Sequence, residues 1–551
     1  MTVADFDGVR RIVIVGGVAG GMSAATRLRR LDERAEIVVL ERGEHVSFAN
    51  CGLPYHLSGV IAERERLLLH TPQSLSARFG LDVRTRQEVR RIDRATRQVE
   101  VHDLQANRSY ALAYDHLILS PGAAPVRPPI PGVEHALTLR NVSDLDRLKS
   151  AAVAGQRSVV IGGGFIGVEV AENLREAGHQ VTLLEGSPQI LPPFDPELAV
   201  LARQELEKHG VQVRCSAQVT QLTERSVTLH SGETLDTDLV VLAVGVRPED
   251  GLARDAGLEV AGRGGIVVDE SLLTSDPHIS AVGDAALVRD PLGELAFVPL
   301  AWGANRQGRL VADRIMGHPV SFGGHPATAI VKVFDLTAAS TGLNEKQVAA
   351  RGLPYATVHT HPGSHAGYYP GAERVSLKLV FDPQSGRIYG AQAVGGAGTD
   401  KRIDVLATAL HAGLHADDLS DLPLAYAPPY SSAKDPVNML GYVAQNVMDG
   451  LTRTVQWHEL EGSGRRIIDV RDPSEYARGR IPGAENIPLD DLRSRADELR
   501  GTPLVVHCQV GQRGHTAARL LTELGCDVPN LDGGYLTWQA GQASRDASPQ
   551  S

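Results

Sequence analysis

Cysteine is scarce in this chain: four in 551 residues, at positions 51, 215, 508 and 526. So few in so long a chain cannot form a disulfide scaffold, and none belongs to a CxxC pair, so no metal site is expected and each sulfur is read as a thiol. Aromatic residues make up only 4% of the chain, and Lys+Arg 55 against Asp+Glu 66 leaves a net charge of −11. With no basic stripe interleaved with aromatics, nucleic acid is not an expected partner. No apolar run approaches the ~18–20 residues of a membrane span. The start, MTVADFDGVRRIVIVGG, has no charged, apolar and cleavable succession, so no membrane partner is expected and the cytoplasm is the expected compartment.

What is present is glycine, 57 residues, with 42% hydrophobic and 22% charged residues. The length exceeds the ~250–300 residues at which one core stops growing, which predicts three or four units. Arg11–Val15 reads as a β-branched strand, 16–21 as a glycine loop, the following residues as a helix, and 37–40 as a second strand ending at Glu41. The pattern returns: strand 158–161, loop 162–167, a helix to Gly178, and strand 181–184 ending at Glu185. In such βαβ units glycines let backbone N–H groups and a helix start meet a pyrophosphate, while the acid on the next strand accepts from a ribose. Gly162, Gly164 and Gly167 complete the GxGxxG spacing; in the first copy Gly16 and Gly21 fit, but Val18 holds the middle position.

Pro-rich 121–132 and Val244-Gly-Val-Arg-Pro248 punctuate the chain, so the second unit reads as inserted into the first. Gly283-Asp284 and a helix near 303–316 follow, then a strand-rich stretch at 325–395, a helical one at 400–448, and a tail read as a separate small α/β domain.

This order resembles the two-dinucleotide flavoprotein disulfide reductases over residues ~10–445. The resemblance implies an α/β fold with two Rossmann-like domains: an FAD domain at 1–120 and 248–322, and an NADH domain at 121–247. An α+β dimerisation domain would follow at 323–449. FAD would be held at Gly16, Gly21, Glu41, Gly283 and Asp284, and the nicotinamide nucleotide at Gly162, Gly164, Gly167 and Glu185. Glu185 would repel a 2′-phosphate and Gly186-Ser187-Pro188-Gln189 supplies no cation, so NADH is expected over NADPH.

Cys51, in Ser47-Phe-Ala-Asn-Cys51-Gly-Leu-Pro-Tyr55, stands where that family places its redox thiol, but without the usual second cysteine a few residues away. Its sulfur partner must come from elsewhere: a small thiol, a sulfane sulfur, or oxygen as a sulfenic acid. The first two define a coenzyme A disulfide, persulfide or polysulfide reductase; the third defines an NADH oxidase or peroxidase. Such oxidases carry a His in the first loop where this chain has Ala19. A non-turnover redox sensor or binding scaffold is the alternative from another class.

Arg27 and Arg30 fall on one helical face suited to anionic phosphates. By resemblance to coenzyme A disulfide reductases, Ser23, Arg27, Arg30, Ser47, Asn50, Asn305 and Arg309 are expected to contact coenzyme A. The same resemblance implies a homodimer in which Tyr368 and Tyr426 of the opposite subunit lie over the cysteine, with Tyr369 and Tyr430 as close competitors.

The tail, 452–545, resembles a rhodanese domain through Ile468-Asp-Val-Arg-Asp472, Arg480-Ile-Pro-Gly-Ala484 and Val505-Val-His-Cys508-Gln-Val-Gly-Gln-Arg513. A strand is expected to deliver Cys508 to a six-residue loop before a helix at His515–Leu521. Backbone N–H groups and Arg513 would stabilise a thiolate or persulfide there. Gln509 stands where thiosulfate-using members often have a basic residue. Cys215 and Cys526 are read as core.

Overall fold

The computed structural model describes residues 10–546; residues 1–9, part of the stretch read for a leader, lie outside it. The chain gathers into two compact units. One comprises residues up to 162 with 173–183 and 219–327; the other comprises 163–172, 184–218 and the chain from 328 onward.

In the first unit, five parallel strands run in the order Ile279–Ala281, His116–Leu119, Arg11–Val15, Glu36–Glu41, Asp82–Thr85. The central strands are apolar at nearly every position because both faces are covered. Ile12, Ile14, Ile37 and Val39 pack under helices Ala19–Leu31 and Ala301–Ile315. Val13, Val15, Val38 and Leu40 face a three-stranded antiparallel sheet through Val89, Ile92, Val99 and Val101. Within the second βαβ unit, Arg157–Ile161 pairs in parallel with Leu239–Leu242. The two Pro/Gly segments lie side by side, Ala123–Pro125 antiparallel to Val246–Pro248.

The second unit holds an antiparallel sheet in the order Ala329–Val333, Leu336–Gly342, Ile388–Gly395, Val375–Phe381, Ala356–Thr360. Leu377, Leu379, Ala391 and Ala393 share a core with Ile403 and Leu406 of helix Thr399–Ala412 and Leu440 and Ala444 of helix Pro436–Met448. The tail forms a parallel sheet in the order Thr454–Val455, Asn530–Leu531, Leu504–His507, Arg466–Asp469, Glu485–Asn486. One expectation is corrected here. The helix after Cys508 runs Gln512–Glu523, starting three residues earlier than expected and shortening the loop. Gly511, at φ +92°, makes the turn into the helix, so Gln512, Arg513 and Gly514 are already helical. Among the described residues no helix is long and apolar enough to cross a membrane.

Candidate active site

The two glycine loops repeat one geometry. Gly16 adopts φ +103° with the Ser120 carbonyl where a side chain would stand; Gly162 adopts φ +107° against the Ala243 carbonyl. Each strand-end acid is fastened to its own loop. Glu41 accepts from Gly17 N at 2.8 Å and Gly43 N at 2.7 Å. Glu185 accepts from Gly163 N at 2.6 Å and from both the N–H and hydroxyl of Ser187 at 2.7 Å. At the variable middle position a Cβ on Gly164 would meet nothing within 4 Å, leaving an open face where a pyrophosphate can approach. Val18 sits there in the first copy at φ −113° and ψ −130°, without the positive φ that would call for glycine.

Gly283-Asp284 forms a turn whose Gly283 N–H donates to Oε1 of the buried Gln307 at 2.6 Å. Helix Ala301–Ile315 presses on Ala19–Leu31 so closely that a side chain at Gly308 would strike the Gly20 carbonyl. Burial pushes the half-buried Asp284 carboxyl up, against the nearby Arg140 cation. A partly desolvated carboxyl fits a hydroxyl-rich nucleotide chain.

Cys51 lies on the single turn Asn50–Gly52 that leads into the short helix Leu53–Leu57. It is exposed, whereas Cys215, Cys508 and Cys526 are buried, and burial pushes the Cys215 and Cys526 thiols up. The segment is tied to the first glycine loop: Ser47 N donates to Gly17 O at 2.8 Å, and Ser47 is held at φ +48°. A non-glycine residue in the left-handed region marks a backbone dictated by its surroundings.

Of the expected coenzyme A contacts, Ser23 and Asn305 meet, hydroxyl to amide oxygen, at 2.6 Å. Arg30, Asn50 and Arg309 are exposed. Arg27 is already paired with Asp313 at 2.7 Å. Elsewhere in the chain, Tyr368 and Tyr426 converge with their hydroxyl oxygens 2.8 Å apart. Tyr369 and Tyr430 are exposed too, but their phenols take no part in that hydrogen bond.

Cys508 is 0% exposed. The carbonyls of Cys508 and Gln509 accept from Tyr535 N at 2.8 Å and Leu536 N at 3.1 Å, at the start of helix Gly534–Asp546. Because the peptides are trans, the N–H groups of Gln509 and Val510 point away from that helix. Arg513 is bound at both ends to Glu475, at 2.7 and 2.8 Å, which holds that carboxyl below its ordinary range. Gln509 is itself bonded to a cation, Nη1 of the buried Arg471 donating to its Oε1 at 2.9 Å.

The pyridine nucleotide-disulphide oxidoreductase family matches residues 10–308 and its dimerisation domain residues 328–436. This chain belongs to that family. A rhodanese-like domain matches residues 453–541. The coenzyme A disulfide reductase of Staphylococcus epidermidis is 36% identical over 79% of this chain and all of its own. Among solved structures, reduced Bacillus anthracis CoADR-RHD superposes with a TM-score of 0.96 at 50% identity, covering 98% of this chain and 99% of that one. A NAD-dependent persulfide reductase from A. fulgidus superposes at 0.91 and 37% identity, covering 96% and 100%.

Several residues of this oxidoreductase escaped the sequence reading. Gln307 gives no signal, being one polar residue among several on its helix. Arg471 lies inside the quoted motif, yet its reach to Gln509 spans 38 residues. Arg402 does leave a trace: a cation on the stripe of Thr399, Ile403, Leu406 and Ala409, all buried. A charge at an apolar helix position signals a buried ion pair.

Proposed function

We propose that this oxidoreductase reduces the sulfur–sulfur bond of coenzyme A persulfide, coenzyme A disulfide or related polysulfides with NADH, using Cys51 as its only redox thiol. The carrying observation is the exposed Cys51 on a segment fastened by Ser47 to the first glycine loop. The coenzyme A disulfide reductase and persulfide reductase relatives support the substrate class. Bound at the two glycine loops, FAD and NADH supply the two-electron source.

The Cys51 thiolate attacks the sulfane sulfur of a coenzyme A persulfide, breaks the S–S bond and releases coenzyme A thiolate, leaving a persulfide on Cys51. Two electrons and a proton then release hydrosulfide and restore the thiolate. With coenzyme A disulfide the same attack leaves a mixed disulfide, and the second product is coenzyme A. Arg27, Arg30 and Arg309 meet the substrate phosphates, with Ser23, Ser47, Asn50 and Asn305 along the thiol arm. The Tyr368–Tyr426 phenol pair protonates the leaving thiolate across a homodimer interface. Cys508 accepts or presents sulfane sulfur, which favours persulfide as the natural substrate. Cytoplasmic thiol pools are the expected setting.

NADH oxidation with coenzyme A persulfide is the test. Cys51→Ser should abolish it while flavin reduction by NADH persists, and Cys508→Ser should keep coenzyme A disulfide reduction. Undiminished turnover in Cys51→Ser removes the mechanism.

A further inference from the structure

Tyr368 and Tyr426 belong to loops that packing does little to hold. The two residues are 77% and 48% exposed, and they lie 58 residues apart in sequence. A hydroxyl pair at 2.8 Å on two such loops needs an anchor beneath it, because each loop loses backbone entropy on ordering.

The anchor is a buried guanidinium. Arg402 is 1% exposed. Its Nη2 donates to the Ser364 carbonyl at 2.8 Å in the loop of Tyr368. The same Nη2 donates to Asp435 Oδ2 at 2.9 Å, Ser431 Oγ at 3.3 Å and the Tyr430 carbonyl at 3.4 Å in the segment after Tyr426. Nη1 donates to the Gly398 carbonyl at 3.1 Å. Ser431 Oγ donates to Asp435 Oδ2 at 2.6 Å, and Ala366 N donates to Ser431 O at 3.1 Å, closing one loop on the other.

Asp435 also caps helix Pro436–Met448 through Val437 N at 3.0 Å. Burial would raise its carboxyl, but Ser431, Val437 and Arg402 together hold it below the ordinary carboxylate range. A buried ion pair of this kind is weak evidence for stability; what its bonds fix is the placement of Ser364, Ser431 and Asp435 around one guanidinium nitrogen. Nη2 serves both loops while Nη1 holds the Gly398 carbonyl, a two-nitrogen arrangement that a single ammonium does not reproduce.

We propose that Arg402 is a positioning residue for the sulfur step, setting the Tyr368–Tyr426 phenol pair by holding Ser364 on one side and Ser431 and Asp435 on the other. This rests on the reading that the phenol pair serves the Cys51 chemistry.

The test uses the flavin-loaded dimer in rapid mixing, with flavin reduction by NADH and reoxidation by coenzyme A disulfide followed separately. Arg402→Lys should leave flavin reduction within about twofold and slow reoxidation about tenfold or more, in the range that a misplaced general acid gives. Ser431→Ala, which keeps the cation and the helix cap, should slow the same step and stands in if Arg402→Lys does not fold. In a Tyr368→Phe/Tyr426→Phe background, Arg402→Lys should cost nothing further, the coupling expected of a residue that acts only through those phenols. Full additivity in that background, or normal reoxidation in both Arg402→Lys and Ser431→Ala while the Phe variants are slow, overturns the assignment of Arg402. Normal reoxidation in the Phe variants instead overturns the reading of the tyrosines.

Discussion

His359 grips Asp532 at two points: its backbone N–H donates to Oδ1 at 3.0 Å, and its ring Nδ1 lies 2.6 Å from Oδ2. On the far side of the ring, Nε2 lies 3.0 Å from Glu197 Oε1. Asp532 is three residues before Tyr535, whose N–H holds the Cys508 carbonyl, so the tail's thiol loop is fastened to strand Ala356–Thr360. Glu197 is shared with the buried Lys378, which also meets Asp195 and Glu345. His361 beside it reaches Thr537 at 2.7 Å.

Burial alone would lower the His359 imidazole, but Asp532 and Glu197 outweigh it against the opposing Lys378 charge and raise it to about 9. A group raised on folding adds stability that is complete below its unfolded value near 6.5 and disappears as pH rises through the folded one. Thermal unfolding should therefore fall between about pH 7 and pH 10 more steeply in the wild type than in His359→Gln. Parallel curves for the two proteins would show that the imidazolium is not the group responsible.

Glu185 is the residue expected to set the cofactor preference. With its carboxylate fixed by Gly163 and Ser187, a 2′-phosphate meets a negative charge that cannot turn away. Glu185→Ser should improve kcat/KM for NADPH relative to NADH by about tenfold or more, as removal of a like charge from an ion site does. Steady-state kinetics with both nucleotides decide it; an unchanged ratio places the discrimination on other residues.

Arg27, proposed to meet the substrate phosphates, is paired with Asp313, both side chains being partly exposed, at 22% and 15%. Arg27→Met should raise KM for coenzyme A disulfide several-fold, about tenfold for a charge-assisted phosphate contact, with KM for a phosphate-free disulfide unaffected. Equal effects on both substrates would mean that the ion pair acts on the fold of the helix.

Gln307 is a buried acceptor for a half-buried turn. Gln307→Leu leaves Gly283 N–H without its partner, an omission worth about 1–3 kcal/mol. The purified variant should retain less flavin, read from the ratio of visible to ultraviolet absorbance, and should regain it with added FAD. Full occupancy as isolated would show that the turn holds without the amide.

The glycine loops, the two strand-end acids and the lone Cys51 were legible because their signals are local. β-branched runs, Gly at a position needing φ above 100°, and an acid about 20 residues downstream are features of single βαβ units. The Cys508 loop was legible in place but not in length, since a glycine that opens a helix and one that continues a loop look alike in a sequence. Arg27 and Arg513 were read as cations open to a ligand, and both are paired, with Asp313 and Glu475. Helical spacing reveals which residues share a face but not what faces them.

Sequence alone determined the succession of two nucleotide-type βαβ units and a rhodanese-like tail, and that Cys51 has no neighbouring sulfur. Each of these follows from residues within a few tens of positions of one another. The tertiary structure decided which charges are buried and against what. Arg402 meets Asp435 across 33 residues, and His359 meets Asp532 across 173. An ion pair between distant segments has no pattern of its own along the chain, because the charges meet, and attract strongly enough to offset their desolvation, only once the segments are packed.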